Sequence, residues 1–125
     1  MSQEVRIREI EWLSKDAEEA LVYLTDGVNE CAAFCQPCEK EPGGIIQQPL
    51  LAFGAQGIKI CDGEVESIQR IGKTFGHVIC ARVVDADLEI LKVGAILLEL
   101  DTSLPGGIGT NCVVRCICRR IDLFV

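Results

Sequence analysis

The chain has 125 residues, of which 49% are apolar, 25% charged and 5% aromatic. That balance predicts one ordered domain over residues 1–125, with a core of aliphatic side chains and cysteine, and excludes disorder. A formal net charge of −7 repels phosphate backbones and anionic lipid, which disfavours nonspecific nucleic-acid binding. No apolar run reaches the roughly 20 residues needed to cross a bilayer, and residues 1–10 alternate charged and apolar positions instead of forming a secretory leader. The expected setting is the cytoplasm, without a membrane.

Residues 5–13 alternate, with Val5 and Ile7 on one side and Arg6, Arg8, Ile10 and Trp12 on the other, which predicts a strand. Ser14, Lys15 and Asp16 follow as a turn. Residues 19–25 fit helix or strand by themselves, but Asp26-Gly27 is a two-residue hairpin signal and residues 28–35 are β-compatible, so the two segments are expected to pair. Pro37, Pro42, Gly43 and Gly44 interrupt the chain before short β-like pieces at residues 45–46, 50–53 and 58–61. Val65, Ile68 and Ile71 recur at helical spacing, making residues 65–71 the one helix candidate.

Residues 77–85, 90–91, 95–101 and 112–124 are rich in β-branched and aliphatic side chains, with turns at Gly94 and Pro105-Gly106-Gly107. In the last stretch Cys112, Val114, Cys116 and Cys118 share a face opposite Val113, Arg115, Ile117 and Arg119. Together these elements predict an all-β fold, a small antiparallel barrel or sandwich, OB-like if residues 65–71 form a bridging helix. Ile117, Ile121, Leu123 and Phe124 accompany Arg115 and Arg119 on an expected C-terminal edge strand, and such an edge predicts self-association as a homodimer. The basic cluster Arg115, Arg119 and Arg120 reads as a solvated strand surface or as a contact for an acidic partner.

Eight cysteines, at positions 31, 35, 38, 61, 80, 112, 116 and 118, are the unusual feature. In a reducing compartment they are thiols, metal ligands or transient redox partners, not a disulfide framework. Cys61, Cys80 and Cys112 stand in apolar, strand-like contexts and read as plain core. Cys31, Cys35 and Cys38, spaced C-x3-C-x2-C, resemble the cluster motif of radical S-adenosylmethionine enzymes, which implies three thiolates on a [4Fe–4S] cluster. That family's partial barrel of parallel βα units needs a length and helices this chain lacks. Cys35-Gln36-Pro37-Cys38 is similar to the C-x-P-C redox motif of thioredoxin-like proteins, which implies a thiolate at a helix N-terminus. Pro42, Gly43 and Gly44 stop any helix here, so that fold is excluded while a local disulfide is not.

Zinc takes four ligands with sulfurs roughly 3.8 Å apart, and Cys35 and Cys38 can supply two, with Cys31 or the single His77 beside them. Gly72-Lys73-Thr74 is similar to the end of a phosphate-binding loop, but Ser67 stands where its first glycine belongs. His77 has no nucleophile to serve and reads as structural. With no catalytic constellation evident, the first functional reading is a small non-enzymatic cytosolic binding or assembly module without a cofactor. The alternative is a cysteine-dependent protein that binds zinc or an iron–sulfur cluster, or exchanges thiols, through Cys31, Cys35 and Cys38. Cys35 and Cys38, flanking a proline turn, are expected to react fastest.

Overall fold

A computed structural model describes residues 3–124. It is all-β. The first strands are β1 (Val5–Ser14), β2 (Glu19–Thr25), β3 (Glu30–Cys35), β4 (Ile45–Ile46), β5 (Leu50–Phe53) and β6 (Gln56–Ile60). They are followed by β7 (Ser67–Arg70), β8 (His77–Asp85), β9 (Ile90–Val93), β10 (Ile96–Leu100), β11 (Val113–Cys118) and β12 (Arg120–Asp122). One mixed sheet runs β4-β1-β2-β3-β12-β5-β10-β9-β8-β11-β6, with β7 on β8. Most pairings are antiparallel, but β10 with β5 and β12 with β3 are parallel. A single cluster of buried aliphatic and cysteine side chains gathers both ends of this order around one core.

Local chemistry explains where the elements depart from simple alternation. On β1 a register shift between Ile7 and Glu9 hands the inward position to Ile10, which packs against the core. Thr25 pairs with Glu30, so the β2–β3 turn holds four residues, 26–29, instead of two. The Asp26 carboxylate organises it, accepting the Val28 and Asn29 N–H groups at 2.9 and 2.7 Å and that of Ala95 at 2.8 Å across the fold. Gly94, at φ +58°, lies so close that a Cβ there would collide with this carboxylate and with Asn29.

Three expectations are corrected. Residues 65–71 are not a helix: Ile68 is buried between exposed Ser67 and Gln69, and the segment pairs with β8 as β7. The period of two on β7 overrides the helical spacing of Val65 and Ile71, both exposed. The sheet is not a closed or OB-like barrel but sandwich-like, ending at β4 and β6. Along the seam beside β3, a cavity of about 250 Å³ separates Glu30, Cys31 and Ala32 from Ile68, Gln69 and Arg70. There the Ala32 N–H donates to Nε2 of His77 at 3.1 Å, in place of a strand ladder.

The C-terminal stretch is not an edge either. It breaks at Arg119 because β11 lies between β8 and β6 while β12 lies between β3 and β5. Ile121 and Leu123 are consequently buried, and the homodimer expected through that edge loses its basis. Arg120 is held internally, bonding Asp122 at 2.6 and 3.1 Å and lying over the Phe34 and Phe53 rings. Among the described residues no helix is long and apolar enough to cross a membrane.

His77 is fully buried, and burial pushes its pKa down to about 4 despite the hydrogen bond to the Phe75 carbonyl. From the ordinary value of 6.5 down to about 4, the unfolded chain takes up a proton that the folded chain refuses. Stability therefore falls as pH is lowered through that window. His77→Gln is expected to flatten this dependence and to cost roughly 1–3 kcal/mol at neutral pH. Urea unfolding at several pH values checks both. Gly94→Ala is expected to cost a further and separate ~1–3 kcal/mol, measured by the same titration.

Candidate metal centre

The alternation of β8 sends Ile79, Ala81 and Val83 into the core and turns Cys80 to the opposite face, beside half-buried Val78 and exposed Arg82. Over it runs the turn that follows β6. The Cys61 N–H donates to the Val113 carbonyl at 2.9 Å, and the Glu64 N–H donates back to the Cys61 carbonyl at 3.2 Å. Gly63 supplies the φ of +87° that this reversal requires. The Asp62 carboxylate accepts the Val113 N–H at 3.5 Å, which ties the turn to β11. Cys61 and Glu64 are thereby folded down onto Cys80.

The Cys61 and Cys80 sulfurs lie 3.5 Å apart, and the Cys80 thiol points at a Glu64 carboxylate oxygen 3.7 Å away. All three ligand atoms fall within 4.8 Å of one another. Arg115, the direct neighbour of Cys80 on β11, brings Nη1 to 3.4 Å from the same Glu64 oxygen. Burial, with the adjoining Cys61 thiol and the Glu64 charge, pushes the Cys80 pKa up to about 12. At neutral pH the Cys80 sulfur therefore keeps its proton unless a cation displaces it. Cys80 is buried, Cys61 is half-buried and Glu64 is exposed, so the cluster opens to solvent on the carboxylate side.

The cysteines singled out in the sequence lie elsewhere. Cys31 and Cys35 both face the core from β3, four residues and therefore about 13 Å apart along the strand. Cys31 neighbours Cys118, and burial ahead of that neighbour pushes its pKa up to about 12. Cys35 meets Cys38, and burial first and the Cys38 thiol second push it up likewise, to about 12. The fold thus brings Cys35 and Cys38 together but does not bring Cys31 to them. His77 does not join Cys35 and Cys38 as a ligand, since its ring nitrogens serve Ala32 and Phe75.

Among the described residues the one group of three ligating side chains is Cys61, Glu64 and Cys80. Cys61 and Cys80, read from the sequence as plain core, stand outside the core cluster, whereas Cys112 packs against it. The missed signal was a C-x2-E turn containing a glycine, Cys61-Asp62-Gly63-Glu64, which sets two ligand types at the spacing of a zinc knuckle.

Comparisons of the chain with protein-family models, with curated proteins and with solved structures find no match. Fold and site together define a class: a small β-sheet domain with a candidate Cys/Glu/Cys metal-coordinating cluster.

Exposure also reverses the expected order of thiol reactivity. Cys35 and Cys38 are 0% and 5% exposed, while Cys61 and Cys112 are only half-buried. A neutral alkylating reagent applied to the folded, reduced, metal-free protein is expected to label Cys61 and Cys112 at least about tenfold faster than Cys31 or Cys116. Site-resolved mass spectrometry reads the order, and equal rates at Cys31 and Cys61 would contradict this burial pattern.

Proposed function

We propose that this protein is a metal-binding β domain that takes one zinc-type divalent ion at Cys61, Glu64 and Cys80. The observation that carries the reading is the convergence of two sulfurs and a carboxylate oxygen within 4.8 Å, from a tight turn and a strand distant in sequence. A sulfur separation of 3.5 Å is close to the roughly 3.8 Å that a tetrahedral zinc thiolate pair requires. Two thiols and a carboxylate suit zinc better than an iron–sulfur cluster, which is held by three or four thiolates. Three protein ligands leave a fourth position for solvent or a ligand molecule. This geometry favours the cysteine-dependent reading over a module that works by surface contact alone. A reducing compartment such as the cytoplasm keeps the thiols available.

Reduced protein equilibrated with zinc and freed of excess ion is expected to retain about one equivalent per chain, with tighter binding at higher pH as the thiols lose protons. Cobalt in place of zinc should give thiolate charge-transfer absorption. Cys61→Ser and Cys80→Ser are each expected to weaken binding by about a hundredfold or more, and Cys35→Ser to leave it unchanged. Metal content that survives both substitutions, or that is absent from reduced wild-type protein, would overturn the proposal.

A further inference from the structure

The same two sulfurs are placed for a covalent reaction that competes with the metal. We propose that Cys61 is a site of thiolation by a small disulfide, of the glutathione-disulfide type, and that Cys80 resolves the adduct into a Cys61–Cys80 disulfide that excludes the metal. The proposal rests on the metal reading for its competition step, and on the sulfur geometry for its chemistry.

Access divides the roles. Half-buried Cys61, on the turn after β6, can meet an incoming disulfide, whereas Cys80 lies beneath it on β8 and is 3% exposed. In the first step the Cys61 sulfur attacks one sulfur of R–S–S–R: a Cys61–SR bond forms, the S–S bond breaks, and RS⁻ leaves with the proton that Cys61 gave up. In the second step Cys80 attacks the Cys61 sulfur and expels the second RS⁻. The Cys80 proton is directed at the Glu64 carboxylate, 3.7 Å away, and passes by it to the departing thiolate. Overall, two protein thiols and one small disulfide become one protein disulfide and two small thiols, so two electrons pass from protein to reagent.

The sulfurs close from 3.5 Å to a bond of about 2.05 Å, and Cys61 stands outside regular strand on a glycine-containing turn that can follow. A bound ion holds both sulfurs as ligands and withholds their lone pairs from attack. Conversely, a disulfide sulfur is a poor zinc ligand, so oxidation discharges the ion.

The test treats reduced full-length protein with oxidised glutathione, with and without zinc, then traps remaining thiols by alkylation and maps them by mass spectrometry. Metal-free protein is expected to form the Cys61–Cys80 disulfide and thereafter to bind no zinc, and zinc is expected to slow its formation at least about tenfold. Cys80→Ser is expected to stop at a Cys61–glutathione adduct. The wild-type map decides the matter by itself if that variant does not fold. A disulfide that forms equally fast with zinc, or metal-free protein that stays reduced at Cys61 and Cys80, would overturn the proposal. The second result, with zinc retained by the reduced protein, leaves the metal reading standing. Reduced protein that retains no zinc removes that reading and the competition with it.

Discussion

The hydrogen bond from the Ala32 N–H to His77 holds β3 against the start of β8 along a seam where no strand ladder joins the two. Because Nε2 must accept from that N–H, the ring proton resides on Nδ1 and is donated to the Phe75 carbonyl at 3.2 Å. A buried imidazole with both nitrogens committed has one orientation and one tautomer. The strand it anchors is the most connected in the fold. β11 occupies one edge of β8, and β7 and β9 follow each other along the other. Once β8 is fixed at His77, its alternation leaves no choice for Cys80, three residues on, which must face away from the core and under the β6–β7 turn.

The sequence carried much of this plan where local chemistry decides. Residues 77–85 form a strand with the expected ends, and the turns at residues 42–44 and 105–108 fall where proline and glycine put them. The all-β class follows from the same signals. Three apolar residues at helical spacing misled at residues 65–71 because only Ile68 of the three faces the interior. Residues 112–124 read as one exposed strand because nothing local announces that the chain changes neighbours at Arg119. That break is set by β3 and β5, 67 or more residues earlier, and such long-range pairings leave no periodic trace.

The candidate centre was illegible for a related reason. Its ligands come from a turn and from a strand 19 residues apart, and only the register of β6, β11 and β8 superposes them. Apolar neighbours on both sides made Cys80 look like core, since alternation says which residues share a face but not which face is inside. The denser grouping of Cys31, Cys35 and Cys38 drew attention instead, yet an extended strand separates what close spacing in the sequence suggests is near. Half of the centre was nonetheless present locally, in the glycine turn that joins Cys61 to Glu64.

Charge accounting shows why one small cluster suits both the ion and the disulfide. With hydrogen on both sulfurs, the charges of the Glu64 carboxylate and of the Arg115 guanidinium beside it cancel, while the Asp62 carboxylate on the same turn is engaged with the Val113 N–H. Replacing two thiol protons by one divalent cation adds two negative sulfurs and two positive charges, so the sum is again zero. Oxidation to a disulfide removes both sulfur charges and returns the Glu64–Arg115 pair to balance. The sum over the three ligands, any bound ion and Arg115 is zero in each state, with the Glu64–Arg115 pair lying on the solvent side of the buried Cys80. Arg115 is the residue that makes this possible: without its charge the metal-loaded centre would carry net negative charge and the oxidised centre an unpaired carboxylate. Its position is in turn fixed by the register that places it directly opposite Cys80, so the electrostatics of the centre are a consequence of the same strand pairing that assembles its ligands.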